Sequence, residues 1–350
     1  MSALPKPPPA GFARPAAALP VVIHADDGYP LGGFVWRGID VGAMTRPVVI
    51  INAATSVKCR YYFRFAQYLY DNGMDVVAYD YRGIGESRPD RLRGFPASWT
   101  DWGARDCEAV LRYAAAMWPG REIHVVGHSF GGWAPALAAS CSRIGRMVTV
   151  GAQFAYWRDY DAAVRWRMAV KWHLAMPLLA RVCGYFPGRR LGWLEDTPAG
   201  VALDWSARTP RYEDRPSARL AFGGGPLPAA TARAGILAIS LTDDPFGTVA
   251  AVERTLGYFT HSERTHLRIA PEEVDSQAIG HFAFFHSDYQ DLLWPLALEW
   301  LRDGGMSGAT CRCPGRSPLS RSLGFTTMTG FRWLRGSRAC PITSGSTSSC

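Results

Sequence analysis

Apolar residues along this chain follow two rhythms, one for buried strands and one for helix faces. Val21-Val22-Ile23-His24 and Leu31 to Trp36 flank the turn Asp26-Asp27-Gly28 and predict a two-stranded hairpin. Pro47-Val48-Val49-Ile50-Ile51-Asn52 is an unbroken apolar run, as a strand covered on both faces requires. Tyr62, Phe65, Ala66 and Leu69 then recur at helical spacing and stop at Asn72-Gly73. Asp75 to Tyr79 is the next buried strand. A helix follows, with Thr100 as its cap, Val110, Leu111, Ala114 and Trp118 as its stripe, and Pro119-Gly120 as its end. Ile123, Val125 and Val126 form a strand that runs into an Ala-rich helical stretch, and Met147 to Val150 form another.

Strands that are apolar on both sides, alternating with helices, predict an α/β fold: a mostly parallel sheet wrapped by helices. The alternation halts at about Ala152. Residues 152–232 are rich in Trp, Tyr, Arg and Pro and carry no strand pattern, but Val164, Met168, Trp172, Met176 and Leu179 predict one long amphipathic helix. Alternation resumes with a strand at Ile236 to Leu241, a helix over 249–259, a strand at His266 to Ile269 and a helix over 292–301. The chain therefore divides into a Pro/Ala-rich leader at 1–19, a core at 20–151 and 233–303, and a helical cap insertion at 152–232. From 304 to 350 the texture turns to Gly, Ser, Thr, Arg and Cys without periodicity, which predicts a disordered basic tail.

Composition narrows the classes. With 48% hydrophobic residues and 13 Trp, 14 Tyr and 16 Phe among 350, the chain can bury a large core. The net charge of +8 would suggest a nucleic-acid partner if it were spread over the core. Six of those charges are tail arginines (312, 316, 321, 332, 335, 338), with no acidic residue from Gly304 onward, so the remainder carries 8 − 6 = +2. No nucleic-acid partner is expected. No apolar run reaches membrane-spanning length, and the start lacks a secretory apolar stretch, so a cytoplasmic protein is expected. Cys59, Cys107, Cys141 and Cys183 lie far apart, and Cys311-Arg312-Cys313 is poor zinc spacing, so no metal site is expected.

Candidate chemistry centres on Gly127-His128-Ser129-Phe130-Gly131, a G-x-S-x-G between a strand and a helix. That order is what a nucleophile elbow requires. The turn is tight enough that a Cβ at Gly127 or Gly131 would meet its neighbours. Ser129 would project at the sheet edge, and the Phe130 N–H would sit at a helix start, where a developing negative charge is favoured. A serine nucleophile needs a histidine base oriented by a carboxylate, in the chain order Ser, acid, His. Thr242-Asp243-Asp244-Pro245 puts two carboxylates at a strand end, and Ala278-Ile279-Gly280-His281-Phe282 puts a histidine in the loop before the last helix.

With these residues the chain resembles the α/β-hydrolase superfamily, and within it a family of uncharacterised predicted serine hydrolases. The motifs are Ile51 to Thr55, Asp80 to Ser87, Gly127 to Gly132, Thr242 to Phe246 and Gly280 to Phe285, and the resemblance covers about 20–303. It implies an α/β-hydrolase fold with Ser129 as nucleophile and His281 as base. Asp244, which precedes a proline, is favoured as the acid, with Asp243 as the alternative. Backbone N–H groups of Phe130 and Ala54 are the implied oxyanion donors, with Ala53 next. The implied activity is that of an esterase on a small-molecule ester with an apolar part, without metal or organic cofactor. An acyltransferase with the same triad, or a binding protein without turnover, remains open. Asp80 and Arg82 read as turn-fixing residues, and His128 as structural.

Overall fold

The two-sided apolar runs become the middle of one twisted sheet. The computed structural model describes residues 17–38, 46–305, 324–328 and 331–335. Its strands are β1 (Ala18–His24), β2 (Pro30–Trp36), β3 (Val48–Asn52), β4 (Asp75–Tyr79), β5 (Ile123–His128), β6 (Ile144–Val150), β7 (Gly235–Leu241) and β8 (Arg264–Ile269). They lie side by side in the order β1-β2-β4-β3-β5-β6-β7-β8. Among these eight, β2 runs antiparallel to both β1 and β4, and every pair from β4 to β8 is parallel. This is the mostly parallel, helix-wrapped sheet that the alternation predicted, in the α/β-hydrolase arrangement that the resemblance implied. The chain winds outward in one direction from β3 to β4, then in the other from β5 onward. The carboxyl ends of β3, β5, β6 and β7 are therefore adjacent, where open α/β sheets bind ligands.

Helices cover the sheet: α1 (Phe63–Asp71), then α2, in which Trp99–Asp101, the π-helical Trp102–Cys107 and Glu108–Met117 run on without a break. Ser98, not Thr100, caps α2, because Ser98 and Asp101 bond reciprocally as a capping box. The Thr100 hydroxyl is instead committed to Ser217 at 2.9 Å. After β5 comes only one short turn of helix, α3 (Phe130–Trp133), since Pro135 has no N–H to continue it and the chain tightens to a 3₁₀ turn at Ala134–Leu137.

Residues 151–234, between β6 and β7, build a small core of their own from Tyr160, Trp172, Met176, Ala180, Phe186 and Ala202. Its main element is α4, where Arg165–Val170, the π-helical Lys171–Ala175 and Met176–Cys183 form one rod. This is the helix its i, i+4 row predicts. Shorter helices α5 (Ala199–Trp205) and α6 (Pro216–Phe222) follow, and α7 (Val249–Leu256) and α8 (Trp294–Asp303) complete the covering layers.

Two expectations need correction. Ala18 and Leu19 belong to β1 rather than to the leader: Ala18 is fully buried and registers with Trp36. Residues 1–16 lie outside the described residues. In the tail, β9 (Gly324–Met328) and β10 (Phe331–Arg335) form a hairpin, and β10 pairs in parallel with β8. Periodicity gave no sign of it, because an open sheet edge offers backbone donors and acceptors whatever the side chains. The rest of the tail, with Cys311, Cys313, Cys340 and Cys350, lies outside the described residues.

Candidate active site

Ser129 sits at the junction of β5 and α3 with φ 54° and ψ −121°, a left-handed backbone for a residue that has a Cβ. Such a conformation costs on the order of 1–3 kcal/mol and persists only where its surroundings dictate it. Here they do. A Cβ on Gly131 would run into the carbonyl oxygens of Asn52 and Ala53, and one on Gly127 into the backbone of Gly132. The Ser129 N–H donates to the Val150 carbonyl of β6 at 2.9 Å, which pins the bend to the sheet. Phe130 is the first residue of α3, so its N–H has no acceptor within the helix.

His281 and Asp244 meet beside this bend. His281 Nδ1 and Asp244 Oδ2 are 2.6 Å apart, and Asp244 Oδ1 accepts the Phe246 N–H at 2.8 Å. Burial alone would raise the Asp244 carboxyl, but the charge and hydrogen bond of His281, with the Gly247 and Phe246 N–H groups, hold it below the ordinary carboxylate range. The pair packs against the backbone of Gly151, where a Cβ would come within 2.9 Å of Asp244 Oδ2 and 3.0 Å of His281 Cε1. Asp243 has a different job: its Oδ2 accepts the N–H groups of Ile279 and Gly280 at 2.8 Å each. With Nδ1 engaged, Nε2 is the remaining ring nitrogen of His281.

Behind the bend runs a buried chain of hydrogen bonds. The His128 Nε2 lies 2.8 Å from the carbonyl oxygen of His281 and must donate to it. Nδ1 is then an acceptor, and the Tyr62 hydroxyl donates to it at 2.7 Å. Tyr62 in turn accepts the N–H of Ala54 at 2.9 Å. The geometry fits the structural role that the sequence suggested for His128, since burial, with the nearby His281, pushes its pKa down to about 3. It corrects the expectation for Ala54, whose N–H is committed to Tyr62. That bond forms because the Tyr62 hydroxyl gives its proton to His128 and has lone pairs to spare.

Ser129 and His281 line one cavity with Ala54, Thr55, Gln153, Phe246 and Phe282 below and Trp99, Trp172, Trp193, Leu194 and Trp205 around them. Stacked rings join the bend to α4: Phe130 on Trp99 at 4.7 Å, Trp99 on Trp205 at 5.9 Å, and Trp205 on Trp172 at 4.6 Å. Gln153 brings an amide to this lining. Its Oε1 accepts the N–H of Ala155, itself in a left-handed conformation, which leaves Nε2 to donate to Ser129 Oγ at 3.3 Å. Sequence reasoning missed this residue. Its position three residues beyond β6, at the carboxyl edge of a strand next to β5, is the signal that could have found it.

Asp80 and Arg82 bond to the scaffold around this site. Asp80, pushed up to about 6 by burial, accepts the N–H groups of Cys59 at 2.6 Å and Glu86 at 2.8 Å. Arg82 pairs with Asp106 at 2.6 Å and with Asp27 at 2.7 Å. Among the described residues no group of three or more His, Cys, Asp or Glu could hold a metal ion, and no helix is long and apolar enough to cross a membrane.

Residues 44–220 match the family model described as serine aminopeptidase, S33. The match takes in Ser129 but ends before Asp244 and His281. No curated protein matches the sequence. Among solved structures, a soluble variant of monoglyceride lipase from Saccharomyces cerevisiae is similar at 14% identity and TM-score 0.58, over 85% of this chain and 99% of that one. An esterase from Pyrococcus furiosus is similar at 15% identity and TM-score 0.51, over 82% and 91%. An esterase from Thermogutta terrifontis is similar at 16% and 0.51, over 81% and 98%. At these identities the likeness is one of fold.

Proposed function

The chain belongs to the serine aminopeptidase S33 family of α/β-hydrolases, and from that premise we propose that it is an esterase working through Ser129, His281 and Asp244. Ser129 Oγ attacks the ester carbonyl while His281 takes its proton, and Asp244 holds the imidazole in the productive tautomer and stabilises its charge. The tetrahedral intermediate collapses, the C–O bond to the alcohol breaks, and His281 returns the proton to the leaving oxygen. Water, deprotonated by His281, then releases the acid and restores Ser129.

The oxyanion is held by the Phe130 N–H and by Gln153 Nε2, which lies 3.3 Å from Ser129 Oγ. Ala54 contributes only if its N–H leaves Tyr62. Each such donor is worth about 2.7–4 kcal/mol in the transition state. Residues 152–232 act as a cap whose tryptophans form an apolar wall for the acyl or alcohol part.

The observation that carries this reading is the 2.6 Å His281–Asp244 pair opening onto the same apolar cavity as a serine held in a left-handed bend. An aminopeptidase would need a free carboxylate for the substrate's ammonium, and among the described residues the lining contains none. That favours esters over peptides with a charged amino end. The test is hydrolysis of p-nitrophenyl esters of increasing acyl length, with and without added alcohol or thiol. Release of free acid unaffected by the acceptor supports an esterase; acyl products that track the acceptor assign an acyltransferase instead.

A further inference from the structure

A helix that roofs a cavity needs one apolar face, and α4 has two. Its inward face is buried through Trp172, Met176 and Ala180. Its outward face carries Trp166, Val170, Leu174, Leu178 and Val182, every fourth residue, each 57–72% exposed. The only other exposed positions on the rod are Arg167 and Arg181, near its two ends. From Ala162 to Leu194 there is no Asp or Glu, against six cations at 165, 167, 171, 181, 189 and 190. An ordinary water-facing helix surface mixes charges of both signs; this one alternates large apolar groups with arginine.

That composition matches a helix lying in a lipid interface, with an apolar row flanked by basic residues. Spanning is excluded by the four cations within residues 165–183 (165, 167, 171 and 181) and by the inward face, which is already buried in the cap's own core. We propose that the outward face of α4 docks the protein on an anionic lipid surface. The row from Trp166 to Val182 sinks among the acyl chains, and Arg167 and Arg181 meet the headgroup anions. Charge decides against the other occupants. A second copy would set arginines against arginines. Residues 1–16 and 306–350 of the chain itself carry Lys6, Arg14 and six arginines without one acidic residue. Only an anionic surface complements both the apolar row and its cations.

Trp172, on the opposite face of the same rod, lines the cavity of Ser129. A docked α4 thus sets lipid on one side and the cavity on the other. This link to substrate rests on the esterase reading, whereas the docking does not. The experiment therefore uses full-length Ser129→Ala protein, which binds or fails to bind regardless of turnover. Flotation is measured with vesicles of phosphatidylcholine alone and of phosphatidylcholine with about one-third phosphatidylglycerol, at low and high salt. Partition into the anionic vesicles at low salt is expected to exceed that into neutral ones by roughly tenfold or more and to fall with salt. The pair Leu174→Asp and Leu178→Asp is expected to abolish it, and the pair Arg167→Gln and Arg181→Gln to lower the anionic partition roughly tenfold. Absence of partition into either vesicle, or equal partition by the variants, overturns the proposal. So does a dimer in light scattering that the Asp pair makes monomeric, since the face would then hold a second copy.

Discussion

The neighbouring carboxylates Asp243 and Asp244 grip one loop at two points: Asp243 accepts the Gly280 N–H at 2.8 Å, and Asp244 meets the His281 imidazole at 2.6 Å. One sets the path of the backbone, the other the orientation of the imidazole. Asp244→Asn should therefore lower kcat by about 10⁴, the size expected when a triad acid is neutralised and the histidine takes the wrong tautomer. Asp243→Asn should lower kcat far less and act mainly on stability, by about 1–3 kcal/mol for weakened charge-assisted bonds. Steady-state kinetics with urea unfolding of both variants separates the two; equal losses of kcat would refute this division.

Much of this site was legible in the sequence, for a physical reason. Strand, small-Ser-small bend and helix form one local unit, so Ser129 and its glycines could be read from neighbours alone. Strand alternation brought the Asp243–Asp244 pair and His281 to the sheet's carboxyl edge, whereas the preference for Asp244 came only from the resemblance. The Ala54–Tyr62 bond could not, since Tyr62 looked like one more member of a helix stripe and its hydroxyl partner is 66 residues away. Gln153 was hidden because its amide is turned by a local bond to Ala155, a geometry without a sequence pattern.

Gln153→Ala should lower kcat by about 10²–10³ with little change in KM, the loss expected for one oxyanion donor. Gln153→Glu should do more damage, placing a carboxylate where negative charge develops. Should Gln153→Ala raise KM and spare kcat, the amide holds the ground-state substrate and not the transition state.

His128 gives a pH signature. Burial lowers its pKa from 6.5 to about 3, so between those values the unfolded chain holds one more proton here than the folded chain. Its contribution is complete above pH 6.5 and is lost as pH falls, by up to about 1.4 kcal/mol per unit. Asp80, raised from 3.8 to about 6, has the opposite sign between those values, which masks the trend in the wild type alone. The stability gap between wild type and His128→Gln isolates it. In urea unfolding at about pH 7.5, 6 and 5 the gap should move steadily against the wild type on acidification. A constant gap would mean that His128 takes up its proton as readily in the folded protein as in the unfolded chain.

Trp172 reaches the cavity from α4 and stacks on Trp205 at 4.6 Å. Trp172→Ala should weaken longer acyl chains selectively, with kcat/KM for octanoyl esters falling roughly ten- to hundredfold, the equivalent of about 1–3 kcal/mol of lost apolar contact, while acetyl esters change little. Uniform loss across the series would assign Trp172 to folding of the cap alone.

The most direct measurement is covalent labelling with a fluorophosphonate, located by mass spectrometry of the digested protein, on wild type and on Ser129→Ala. The account predicts a single adduct on Ser129 in the wild type, none in Ser129→Ala, and a much slower reaction in His281→Ala. Labelling that persists in Ser129→Ala, or a folded wild type that takes up no label, would contradict it.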